Sequence, residues 1–195
     1  AANRSVDAHI AARPADPLGH AVRGAVLLFE EMDRLGILES EFFASDKRIA
    51  EKKKPKADPE LRRRLFAAVA EARRLGTARL AADPEERNAL FALCMASGVA
   101  TDYTSFVEKR LWSALKMARE SHDYALRLLR RDPSFRDAYL TTGLHEYLVG
   151  SLPFFARWFV RFEDTAGDKR QAVKHLELVA REGLYRRVAE LQGAG

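Results

Sequence analysis

Apolar residues recur at helical spacing along most of this chain, and Asp-Pro pairs punctuate the runs. A short helix is possible over 6–12, ahead of Pro14. The stripe Val22, Val26, Phe29 and Met32 then predicts a helix from Asp16 to Leu35, stopped by Gly36. Residues 38–49 read as a shorter helix, and 51–56 (EKKKPK) as a polar hinge. Leu61, Leu65, Phe66, Val69, Ala72, Leu75 and Leu80 line a long helix over 58–82. The next helix runs from Asp83 to about Thr101. A turn is expected over 102–105. A longer helix over 106–131 follows, with Trp112, Leu115, Ala118, Ala125, Leu128 and Leu129 facing inward. After Asp132-Pro133 the helical spacing resumes at Ala138, Leu140, Leu144, Tyr147 and Leu148. Gly150 and Pro153 interrupt it, Gly167 breaks the chain again, and Ala172, Val173, Leu176, Val179 and Ala180 make one more apolar face, closed by Gly183.

The Asp-Pro pairs suggest a repeat. Asp can cap free amides and Pro suits the first helical position. Asp83-Pro84 with Ala89, Leu90 and Phe91 matches Asp132-Pro133 with Ala138, Tyr139 and Leu140, forty-nine residues on. Asp16-Pro17 is read as a third start of the same type. Helical pairs of this kind cannot bury their apolar faces alone, so neighbours must complete the core. The expected units are 16–82, 83–131 and 132–183, with a terminal helix over 184–192, all in one helical domain.

Over 83–185 the chain resembles the tetratricopeptide repeat (TPR) superfamily. The resemblance rests on the small Gly143 in a first helix, Ala172 on the apolar face of a second, and Asp-Pro between units. The period exceeds the usual ~34 residues. The excess sits as an insert between paired helices, as in the branch of inclusion-body-clearance and tetratricopeptide-39 proteins and their bacterial relatives. The resemblance implies an all-α, TPR-like right-handed superhelix of antiparallel hairpins. It also implies a non-catalytic scaffold that holds a protein or peptide partner on a concave surface, with no cofactor. On that surface the first helices would present Asn88, Ser97, Asp137, Thr141, His145 and Glu146.

Composition fits this picture. At 195 residues and 47% hydrophobic, the chain can bury a substantial core. Leu, Ala, Arg and Glu dominate, which favours helix. The lone Cys94 lies among Leu90, Leu93 and Val99, as a buried thiol would. The chain opens Ala1-Ala2-Asn3, which fits a removed leader or a trimmed start, and the bacterial resemblance points to an envelope location.

Charge and aromatic residues open a second reading. Residues 47–79 hold twelve Lys or Arg against four Asp or Glu, a net of +8 within a chain of +5. Residues 152–162 (LPFFARWFVRF) place Phe155, Trp158 and Phe162 on one side of a helix, with Arg157 and Arg161 opposite. The plainer account is a solvated hinge beside a core helix, and a second is a groove wall in which the insert accepts an apolar partner helix or lipid chain. The alternative is a peripheral membrane or lipid-binding module that sets the aromatic insert and the basic region on an anionic surface. Nucleic acid is disfavoured, because only Phe66 interleaves with the basic run. The oligomeric state stays open, since a second copy would also cover an exposed insert.

Catalytic and metal motifs are absent. His145-Glu146 is followed at the position of a second histidine ligand by Val149, so the zinc-protease spacing fails. His122-Asp123 with Asp102 and Tyr103 has acid–base chemistry, but nothing in the sequence brings the groups together.

Overall fold

The computed structural model describes residues 2–37, 56–139, 141, 142 and 174, and every regular element among them is helical. The protein is all-α. The elements are α1 (Ala2–Ala12), α2 (Pro17–Arg34), α3 (Pro59–Ala82), α4 (Arg87–Asp102), a π-helix (Tyr103–Val107) and α5 (Leu111–Arg131). The chain forms two compact units, Ala1–Ala118 and Arg119–Gly195, so the boundary falls inside α5.

The Asp-Pro pairs fall into two kinds. Asp16 and Asp58 are helix caps, as the sequence predicts. Leu18 N–H donates to Asp16 at 3.2 Å, and Glu60 N–H donates to Asp58 at 2.8 Å, with Pro17 and Pro59 opening the helices. Asp83 and Asp132, expected to cap helices, instead open turns. Asp83 N–H donates to the Arg79 carbonyl (2.9 Å), and Glu86 N–H donates to the Asp83 carbonyl (3.1 Å). Asp132 makes the same two bonds, to Leu128 (2.8 Å) and from Phe135 (3.0 Å). Pro follows Asp because its fixed φ suits the second position of such a turn. Arg13-Pro14-Ala15-Asp16 has this geometry too, through Arg13 N–H to His9 (2.9 Å) and Asp16 N–H to Arg13 (3.0 Å). The repeated turn therefore starts at Arg13, Asp83 and Asp132. The forty-nine-residue register also holds in burial, since Ala89 and Ala138 are both fully buried.

In the first unit, α2 packs on α3 and α4, and α3 packs on α4. Ala21 and Leu28 of α2, Leu65, Val69 and Ala72 of α3, and Ala92, Ala96 and Val99 of α4 share one core. Gly24 lets the three backbones approach. A Cβ there would lie 3.4 Å from both Val69 Cγ2 and Val99 Cγ1. The buried face of α2 is thus Ala21, Gly24, Leu28 and Glu31, with Leu27 beside it. This corrects the expected stripe: Val22 and Val26 are half-buried, and Phe29 is exposed. Small residues mark the inner face here because two helices press on it at once.

The predicted turn over 102–105 is helical, and the break comes later. Glu108 N–H bonds to the Tyr103 carbonyl (3.1 Å), which inserts one residue into the helix, and Arg110 N–H closes onto Thr104 (2.9 Å). Lys109 then takes a left-handed conformation, φ 57°, and α5 starts afresh at Leu111. Of the stripe expected inside, Ala125 and Leu128 are buried, and Leu115, Ala118 and Leu129 are half-buried. Ala114, Ser121, Ala125 and Leu128 are buried, and Trp112, expected inside, is 76% exposed. Cys94 is a buried thiol outside any disulfide, as expected. The segment Arg87–Val107 is long and apolar enough to cross a membrane, and it is more than half buried in the protein, where α2 and α3 pack on it.

Candidate functional site

The body formed by α2, α3 and α4 has two differently built ends and one half-buried flank. At the first end, successive repeat turns are bonded together. Arg79 donates to the Ala15 carbonyl at 2.8 Å, and the Asn88 amide donates to Asp16 Oδ1 at 2.8 Å. His9 Nε2 meets Asp16 Oδ2 at 2.9 Å. Burial opposes ionisation of Asp16, but hydrogen bonds from His9, Asn88 and the Leu18 amide outweigh it. The carboxyl therefore sits below its ordinary value.

The second end is built around Glu31, whose side chain is fully buried. Its Oε1 accepts the Asp58 N–H at 2.7 Å, the cap of α3. Arg34 grips the same carboxylate through two bonds, of 2.8 and 3.0 Å, and reaches the Lys56 carbonyl at 2.6 Å. The hydrogen bond to Glu31 raises the Arg34 guanidinium above its ordinary value. One side chain thus ties the end of α2 to the start of α3. Nearby, Tyr103 is fully buried with its ring edge-on to Phe66, centroids 5.4 Å apart. Its hydroxyl has no hydrogen-bond partner among the described residues. Burial first, and then the Glu31 carboxylate, push this phenol up. Arg62 lies 4.8 Å from the Phe66 ring centroid and pairs with Glu108 at 2.7 Å, which joins α3 to the turn before α5.

The half-buried flank belongs to α4. Asn88, Phe91, Met95, Gly98 and Asp102 recur at helical spacing, and all are half-buried, while 89, 90, 92–94, 96, 97, 99 and 100 are buried. Burial alone pushes the Asp102 carboxyl up to about 6. Its folded pKa is raised, so this group favours the fold when protonated. That contribution is lost as pH rises from about 4 through about 6. Asp102→Asn is expected to add about 2 kcal/mol of stability at neutral pH and to flatten that dependence. Urea midpoints of both proteins across the window check this, and parallel curves would refute it.

The predicted partner-contact residues separate on this structure. Asn88 lies on the α4 flank, but its amide is committed to Asp16. Ser97 does not reach a surface: it is fully buried and accepts from Arg73 at 3.1 Å. Its position, one off the Met95–Gly98 line, turns it inward. Asp137 and Thr141 are half-buried in the helix that begins at 136, where Asp137 is the repeat counterpart of Asn88. His145, Glu146, Phe155, Arg157, Trp158, Arg161 and Phe162 lie outside the described residues.

The basic region 47–79 is described from Lys56 onward, and much of its charge is locally balanced. Arg63 pairs with Glu60, Arg74 with Glu71, Arg62 with Glu108, and Arg79 lies 3.9 Å from Glu86. Sequence reasoning missed Glu31, which looks like any surface glutamate beside Glu30. Its signal was the spacing Ala21, Gly24, Leu28, Glu31, which continues a buried face. Among the described residues no cluster of His, Cys, Asp and Glu could hold a metal. No family model, curated protein or solved structure matches the chain.

Proposed function

We propose that this protein is a non-catalytic helical-repeat scaffold, TPR-like and superhelical, that holds a protein or peptide partner against the first helices of its pairs. One observation carries the reading: three turns of one hydrogen-bond pattern separate its helices, and the first two are bonded together through Arg79 and Asn88. Such turns stack one pair on the next and set α2 and α4 side by side as first helices. The flank of α4 then faces a partner. Phe91 and Met95 supply apolar contact, and the flexible methionine accommodates different side chains.

Selection from a random peptide library on the full chain tests this. Binders are expected, and Phe91→Ser or Met95→Ser should weaken them about tenfold while the protein stays folded. An empty selection, or peptides that bind both variants like the parent, would overturn the reading.

A further inference from the structure

The second end of the first unit carries a feature that peptide binding on the α4 flank does not use. Three large hydrophobic side chains are exposed among the described residues: Phe29 (57%), Phe106 (44%) and Trp112 (76%). All three belong to this end. Phe29 lies in the last turns of α2, Phe106 in the π-helix that follows α4, and Trp112 in the first turn of α5. The bonds Glu31 to Asp58 and Arg62 to Glu108 hold the end of α2, the start of α3 and the 108–110 turn together.

The stretch 108–116 at this end holds three cations and one carboxylate. Glu108 is the one acidic group of the turn, and it is shared between Arg62 and Arg110, at 2.7 and 3.5 Å. Lys109, Arg110 and Lys116 are exposed, and Lys116 stands one helical turn from Trp112 on the same face of α5. Exposed aromatics flanked by cations on a short connection suit the boundary between lipid headgroups and acyl chains. There indole and phenyl rings enter the interface while Lys and Arg stay at the phosphates. The left-handed Lys109 sets this connection apart from both helices, so Phe106 and Trp112 flank it from either side.

We infer that this end of the protein, through Phe106, Trp112, Lys109, Arg110 and Lys116, is a contact surface for an anionic lipid bilayer. The apolar rings and the cations act together, since neither two aromatics nor a few charges alone anchor a protein firmly. The site shares no residue with 152–162, and it does not depend on the scaffold reading.

Trp158→Phe leaves Trp112 as the sole tryptophan of the full chain. With phosphatidylcholine vesicles containing about one-third phosphatidylserine, this variant is expected to sediment and its emission to shift to the blue. Pure phosphatidylcholine should bind it at least about tenfold more weakly, and added salt should release it. Phe106→Ser with Trp112→Ser, and separately Lys109→Glu with Lys116→Glu, should each weaken binding about tenfold with melting unchanged. Failure to bind anionic vesicles would overturn the inference. So would binding that leaves Trp112 emission and both double variants unaffected, which places the contact elsewhere. A single-stranded oligonucleotide that quenches Trp112 where vesicles do not would assign the surface to nucleic acid and equally overturn it.

Discussion

Glu31→Ala is expected to remove about 3 kcal/mol of stability, a large loss for a side chain with no visible place in a hydrophobic core. The carboxylate is fully buried and accepts the amide that opens α3. Alanine leaves that amide without its acceptor in a space too confined for easy rehydration, and it also leaves a cavity. Arg34 loses its partner but is partly exposed, so its head can turn to water. Glu31→Gln keeps the shape and an acceptor oxygen, so its loss should be nearer 1 kcal/mol. Denaturant unfolding of the two variants checks the order. Equal losses would show that the charge, rather than the acceptor, holds α2 to α3. A loss below about 0.5 kcal/mol for alanine would remove Glu31 from the framework altogether.

The helices themselves were legible because period and punctuation are local. The sequence-derived helices over 16–35 and 58–82 match α2 and α3 closely, and Gly36 does leave the helix with φ +66°. What failed was rotation about the helix axis. Val22, Val26 and Phe29 look like an inner stripe by hydrophobicity, yet Ala21 and Gly24 face the core. Where two helices press on a third, small residues mark the contact, and a hydrophobicity pattern reads them as neutral. Trp112 failed for a related reason. Ala125 and Leu128 of the same stripe are buried, but Trp112 stands in the first turn of α5, just after the π-helix and Lys109. Neither the extra residue nor the left-handed lysine has a strong local signature.

The candidate sites were legible in kind and less so in detail. The Asp-Pro spacing found the repeat, but two different structures share that dipeptide. Asp58 caps a helix, whereas Asp83 starts a turn and Glu86 does the capping. An amide such as Asn88 can serve a bound peptide, but the same chemistry suits Asp16, seventy-two residues away in sequence. Ser97 is expected on the outward side of a first helix, but it lies inside, where Arg73 donates to it. Partners distant in sequence, unlike caps and turns, leave no periodic trace.

The second large effect is expected at Gly76, where α3 passes against α4. A Cβ at this position would lie 2.8 Å from Leu93 Cγ and 3.1 Å from its Cδ2. The near atom is a branch point inside the core, so it cannot swing away as the tip of a flexible chain would. Glycine in mid-helix costs up to ~1 kcal/mol against alanine, and the close approach of Leu93 explains why it stands here. Gly76→Val should therefore destabilise by about 3 kcal/mol, as overpacking outweighs any helix gain. Leu93→Ala alone should cost a similar amount by opening a cavity, since Leu93 is buried. Joined in one protein, the two changes should cost less than their sum by about 1–2 kcal/mol, because the new valine enters the space that leucine leaves. A double-mutant cycle by urea unfolding measures this coupling. Strict additivity would mean that the two side chains do not share that space, and that the contact of α3 with α4 is set elsewhere along the pair.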